Sequence, residues 1–254
     1  MGGYCIEELG TGPCRGHASG GSTGATMPDC IPNAETFMSG ATTLEESLRH
    51  ILPGARLVET ALPATPGIRL LLLQGDYPQG ELSPEAVQRV MDNPLYWVFC
   101  WASGQVLASF LTEQPQWVQG KRVLDFGSGS GVVAIAAALA GAAEVIACDI
   151  DPLALAATRV NASRCGANIT LADDFLAVDG HIDLIIVADV LYDRANLPWL
   201  ARFTARADKV LVADSRVKNF HHPQYRHICS RVSCTLPDLD ESAEFRDVRI
   251  YQGG

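Results

Sequence analysis

Residues 121–131 read Lys-Arg-Val-Leu-Asp-Phe-Gly-Ser-Gly-Ser-Gly. Val123 and Leu124 open the stretch as a buried strand, Asp125 supplies a carboxylate, and glycines alternate at 127, 129 and 131. An apolar run over 132–139 follows and predicts a helix. Strand, glycine turn and helix make the unit at which a parallel α/β sheet offers bare main chain and a helix N-terminus to a ligand. Glycine matters there because a Cβ would hold a ligand off the backbone and disfavour positive φ.

The details of the turn narrow the ligand. A dinucleotide fingerprint, Gly-x-Gly-x-x-Gly, needs glycine at 132, where this chain has Val132. The third glycine comes one position early, and Asp125 stands two residues before the first. A carboxylate beside the turn repels a pyrophosphate and attracts an ammonium group. S-adenosyl-L-methionine carries an ammonium, a carboxylate for the helix N-terminus, a ribose and an adenine, and is the expected cofactor. Asp125, Gly127 and Gly129 are its expected first contacts. A nicotinamide dinucleotide is the rival ligand, and a turn that only tightens strand-to-helix packing is the bland alternative.

At 254 residues and 48% hydrophobic content, the chain can fill one α/β core with some added structure. No apolar run approaches the roughly 20 residues of a membrane-spanning helix, and the first residues lack the pattern of a secretory signal. A net charge of −10 argues against a nucleic-acid partner, which calls for clustered Lys and Arg. The one local basic grouping is Arg216, Lys218, His221 and His222. The 8 cysteines form no Cys-x-x-Cys pair, which predicts reduced thiols and a cytoplasmic location rather than a disulfide framework. No metal centre is expected, because the adjacent His221 and His222 lack partners at ligand spacing.

Residues 1–44, rich in Gly, Ser, Thr, Ala and Pro, are expected to form a flexible extension. Residues 45–94 are expected to form N-terminal helices and a hairpin. Thr43 is the expected N-cap of a short helix, 56–62 and 67–74 the hairpin at the edge of the main domain, and Ser83-Pro84-Glu85 the start of a second helix. The remainder, 95–254, is the expected cofactor domain. It opens with dense aromatics at 96, 97, 99 and 101 leading into a helix from about Ser103, and Trp101 is expected to close one wall over the cofactor. Strands are then expected at 143–148, 169–172, 182–188, 209–213, 227–236 and 244–252, giving a doubly wound, mostly parallel seven-stranded sheet with an antiparallel last strand.

Acids stand at the strand tips. Asp149, next to Ile150 at the end of the second strand, is where ribose hydroxyls fall in such folds, while Asp151 before Pro152 suits a helix cap. Of the adjacent Asp173 and Asp174 at the end of the third strand, either could accept from an adenine amino group and Asp174 is the preferred one, with Phe175 packing on the ring. The fourth strand ends in Asp189-Val190-Leu191-Tyr192-Asp193, at the switch point beside the first strand. Asp189 and Tyr192, three residues apart, are expected to line one small pocket.

Together these residues resemble the class I, seven-β-strand S-adenosylmethionine-dependent methyltransferases of Rossmann-like fold. Within them, the chain is most similar to the protein-lysine methyltransferases that act on the β subunit of electron transfer flavoprotein. The resemblance covers roughly 62–252 and rests on the Trp101 segment, residues 123–131, residues 147–152, and Asp-x-x-Tyr at 189–192. It implies that Asp189 and Tyr192 line a channel for a target lysine of a protein substrate, with Asp189 also near the cofactor. The chain departs from the family pattern at Trp101-Ala102, where Trp-Pro is usual, and at Asp214-Ser215-Arg216, where Asp-Pro-Gly-Arg is usual. A nicotinamide-like small-molecule N-methyltransferase and a non-catalytic cofactor-binding module are the alternatives.

Overall fold

The computed structural model describes residues 34–78, 83–191, 194–217, 220–238 and 242–254, with side chains from residue 40 onward. The helices are α1 (Ala34–Ile51), α2 (Pro84–Asp92), α3 (Ala102–Glu113), α4 (Val132–Leu139), α5 (Pro152–Arg164) and α6 (Trp199–Arg206). Strands β1 (Leu57–Leu62) and β2 (Thr65–Leu73) form an antiparallel pair of their own. Strands β3 (Arg122–Phe126), β4 (Glu144–Cys148), β5 (Thr170–Ala172), β6 (Ile182–Ala188), β7 (Ala207–Asp214), β8 (Tyr225–Val232) and β9 (Asp247–Gly253) form a second sheet.

That sheet has the order β5-β4-β3-β6-β7-β9-β8. Pairing is parallel from β5 across to β7, and β9 runs antiparallel to both β7 and β8. This is the expected doubly wound, seven-stranded arrangement with its last strand reversed. The strands read as near-continuous apolar runs because both faces are covered. Val123, Val145, Leu184 and Leu211 belong to one core layer, with α3 and α4. Their successors Leu124, Ile146, Ile185 and Val212 belong to the other, with α6 and the rings of Phe126, Phe175, Trp199 and Phe203. Period-two alternation thus feeds two layers at once.

Helix α3 is buried from Ala102 through Leu111, because it lies between the sheet and the β1–β2 hairpin. A Cβ on Gly104 would stand 2.9 Å from Val132 Cγ1, so the glycine sets how closely α3 approaches α4. The hairpin stays apart from the main sheet as a two-stranded sheet of its own and packs Leu62, Ile68, Leu70 and Leu72 onto the α3–α4 layer. Its turn is also tighter than the expected Pro-Ala-Thr-Pro, since Thr65 and Pro66 already lie in β2.

Helix α1 begins at Ala34, not at Thr43. The expected cap instead lies inside the helix, where the Thr43 carbonyl accepts from Ser47 Oγ at 3.0 Å. Glu45 acts at a distance rather than in a first turn, accepting from the Leu57 N–H at 2.9 Å. Leu44, Leu48 and Ile51 bury one face against Ala154 and Ala157 of α5, with Trp97 and Val98 closing the layer. That packing carries the helix through a segment whose Gly, Ser and Thr content favours none. Among the described residues no helix is long and apolar enough to cross a membrane.

Candidate active site

A cavity of about 830 Å³ opens at the C-terminal ends of β3, β4 and β6. Its floor is the glycine turn. Gly127, Gly129 and Gly131 have φ of +73°, +52° and +82°. A Cβ at Gly131 would meet Thr158 at 2.9 Å, and one at Gly127 would meet Val190 Cγ1 at 3.0 Å. At Gly129 nothing lies within 4 Å of that position, so bare backbone faces the cavity.

Asp149 spans the gap between the two strand tips. Its Oδ2 accepts from the Gly129 N–H at 2.9 Å and its Oδ1 from the Asp151 N–H at 3.0 Å. Burial raises its carboxyl above the usual range, partly offset by these N–H donors. Ile150 beside it is 56% exposed, an apolar surface on the cavity wall. Asp151 also lines the cavity and caps α5, accepting from Leu153 N–H at 2.8 Å.

Trp101 forms another wall, directly before α3. Its Nε1 donates to the Tyr96 carbonyl at 3.0 Å, and Phe99 meets the ring edge-on at 5.5 Å. The Arg216 guanidinium lies 5.8 Å from its centroid and 4.3 Å from that of Phe245. Such packing fixes an indole that would otherwise swing.

Asp189, on the cavity wall, has φ +49°, a conformation few non-glycine residues adopt. Its Oδ2 accepts from the Ser103 N–H at 3.1 Å. Its Oδ1 accepts from Ser103 Oγ at 2.6 Å, Ser215 Oγ at 3.1 Å and the Ser215 N–H at 3.4 Å. Helix α3 has no cap from its own N-cap residue, Trp101, so the acid reaches across to supply one. Burial pushes the Asp189 carboxyl up, and these donors pull it back. Tyr192, its expected companion, lies outside the described residues, as does Lys218 of the basic grouping.

Three expected contacts stand elsewhere. Asp125 is 1% exposed, absent from the lining, and accepts from the Ala134 N–H at 3.0 Å. The N-cap of α4 is Gly131, which has no side chain, so the acid on β3 takes the orphan donor. Burial pushes its carboxyl up to about 7, the Ala134 N–H pulling down and Asp149 adding to the rise. Asp174 is outside the lining of the cavity and caps a short 3₁₀ turn, accepting from the Leu176 N–H at 2.8 Å. Phe175 is buried edge-on against Phe126 at 5.5 Å and Trp199 at 5.6 Å, inside the core rather than at a ligand face.

The cavity also uses residues with weak sequence signals. Ile51, Leu95 and Leu153 add apolar wall, and Asn196 secures the loop after β6 by donating from Nδ2 to the Val190 carbonyl at 2.8 Å. Only Tyr96 and Trp97 among these announced themselves, by aromatic density. A separate grouping, His181, Asp183 and Asp208, sits at the opposite ends of β6 and β7 and takes no part in the cavity.

The lining suits S-adenosylmethionine. Asp92, Asp149, Asp151 and Asp189 stand against a single cation, Arg216, among the described residues. That balance favours a positively charged ligand over a pyrophosphate. An open glycine backbone, a carboxylate at the β4 tip and apolar walls are the surfaces a methionine chain, a ribose and an adenine require.

A family model described as ribosomal protein L11 methyltransferase (PrmA) matches residues 109–211. The Xenopus laevis electron transfer flavoprotein beta subunit lysine methyltransferase is 38% identical over 198 residues, which cover 73% of this chain and 78% of the relative. The Homo sapiens protein of the same name is 30% identical over 197 residues, 74% of each chain. The Mus musculus protein is 36% identical over 152 residues, 56% of this chain and 60% of its own length. With likeness of that extent and a cavity built for a sulfonium donor, the chain belongs to the electron transfer flavoprotein beta subunit lysine methyltransferase family of class I S-adenosylmethionine-dependent methyltransferases.

Proposed function

We propose that this methyltransferase modifies lysine side chains of an electron transfer flavoprotein β subunit, with Asp189 orienting the acceptor amine and Trp101 walling the channel. The support is the placement of Asp189 in the lining, at the tip of β6 and next to the glycine turn, together with the names its relatives carry. When bound, the cofactor supplies an electrophilic methyl group on a sulfonium.

The chain's own work is positioning. A lysine amine has an ordinary pKa near 10.4 and must shed a proton before it can attack. A carboxylate favours the charged ammonium, so Asp189 acts as an orienter rather than a strong base. Holding two reactants in line supplies on the order of 7–11 kcal/mol, and no nucleophilic side chain is required. Asp149 is assigned the ribose hydroxyls, Ile150 an apolar contact with the adenine, and Gly127 and Gly129 the close approach of the donor's amino-acid end. Tyr192 is assigned the lysine stem.

Incubation with methyl-labelled cofactor, offering recombinant electron transfer flavoprotein β subunit, a cell lysate and nicotinamide in separate reactions, tests this reading. Label on lysines of the β subunit, located by mass spectrometry, is the expected result. Label on another protein overturns the substrate, and label only in nicotinamide overturns protein modification.

A further inference from the structure

Asp189 is held by an unusual set of donors, and two of them are side-chain hydroxyls from different elements. Ser103 is fully buried in the first turn of α3 and Ser215 is 6% exposed just beyond β7, while Asp189 itself is half-buried on the cavity wall. Both hydroxyls point at the same oxygen. Oδ1 accepts from Ser103 Oγ, Ser215 Oγ and, at a longer 3.4 Å, the Ser215 N–H. Oδ2 accepts only the Ser103 N–H among the described residues, at 3.1 Å. A carboxylate oxygen has about two lone pairs to offer, so Oδ1 is saturated and, among the described residues, Oδ2 has one left to accept with.

We propose, building on the orienting role assigned above to Asp189, that Ser103 and Ser215 are positioning residues which hold its carboxylate turned so that Oδ2 meets the acceptor amine. The φ of +49° gives the arrangement a further purpose. A strained backbone persists only where its surroundings over-determine it, and here α3 and the β7 tip grip the same side chain from two directions. Without the hydroxyls, Oδ1 would be free to rotate towards the amine and the direction of the acceptor bond would be lost.

Among the described residues, the groups facing this carboxylate are few. Asp214, at the end of β7, interacts with it unfavourably, as does Cys100 ahead of α3, whose thiol is pushed up mainly by burial. Arg216 lines the same cavity. None of these supplies a hydroxyl. Hydrogen bonds to the charged form of an acid hold its pKa down, so losing the two serine donors moves the Asp189 titration upward.

The test uses the full chain with Ser103→Ala, Ser215→Ala and the double substitution. Carbon-13 NMR of the Asp189 carboxyl needs no substrate, and its midpoint should rise by about one pH unit for each hydroxyl removed. With whichever protein the wild type labels, kcat should fall about tenfold in the double variant while KM and the cofactor Kd change less than about twofold. An unchanged carboxyl midpoint in the double variant overturns the proposal, and so does a moved midpoint with unchanged kcat. A wild type that labels no protein would instead sink the orienting role, and the NMR result would still decide whether the serines set the carboxylate's charge.

Discussion

Asp125 and Asp189 show how one residue type serves different ends. Each gives a carboxylate oxygen to the first turn of a helix whose N-cap residue supplies no side-chain bond. Asp189 also borders the cavity, whereas Asp125 does not. Replacing Asp189 by Ala should lower methyl transfer by at least about 100-fold and leave the cofactor Kd nearly unchanged, as measured by single-turnover label transfer beside calorimetry. A lost cofactor affinity at full turnover rate would reassign the residue to cofactor binding. For Asp125 the sign of the pH effect is fixed by its direction of shift. Its folded carboxyl titrates at about 7 against an ordinary 3.8, so between those values the folded state holds a proton that the unfolded chain has released. Stability therefore falls as pH rises through that window, by on the order of 4 kcal/mol for this group. Asp214, raised to about 6 mainly by burial, adds a fall over the lower part of the range. Asp125→Asn keeps an acceptor for the Ala134 N–H and removes the titration. Urea midpoints at about pH 5 and about pH 8 should differ less in the variant than in the wild type.

At the level of elements, the glycine turn depends on a residue outside it. Asn161, 1% exposed in α5, donates from Nδ2 to the Ser130 carbonyl at 2.9 Å. Its Oδ1 accepts from the Leu71 N–H of β2 at 2.8 Å. One amide thus ties the cofactor turn to the hairpin. Asn161→Ala leaves a buried donor and a buried acceptor without partners, at roughly 1–3 kcal/mol each. Urea unfolding should register a loss of about 2–6 kcal/mol, and calorimetry a weakened cofactor affinity because the turn loosens. A loss below about 1 kcal/mol would mean that water replaces the amide. The serine at 215 belongs to this scale too. Its hydroxyl, just beyond β7, gives that strand tip a donor for Asp189 across 26 positions of chain.

For the whole molecule, cofactor and fold are linked. A ligand that binds only the folded state at 100 times its Kd adds about 2.7 kcal/mol. For a chain of this size that corresponds to a rise of roughly 5–10 °C in Tm. Scanning calorimetry should show this with S-adenosylmethionine and no rise with a nicotinamide dinucleotide, whose pyrophosphate meets the acid-rich lining. Equal rises with both would contradict the charge argument.

The sequence by itself determined the sheet, the glycine turn and the strand tips, because these are written in local terms. Apolar runs of strand length, glycines at three alternate positions and acids at the tips of the parallel strands need no knowledge of distant residues to be read. Asp149 and Asp189 are legible from their places at strand ends and Trp101 from the density of aromatics around it, and all three line the cavity. Tertiary structure decided which acids reach the cavity, since Asp125 and Asp174 satisfy backbone donors nearby and Phe175 turns into an aromatic core. It also decided where the hairpin packs, how far α1 extends, and that Ser103, Ser215 and Asp189 converge although 86 and 26 positions separate the serines from the acid. Convergence of that kind depends on how strand ends and helix N-termini meet in space, and side chains at such sequence separations carry no local pattern that announces it.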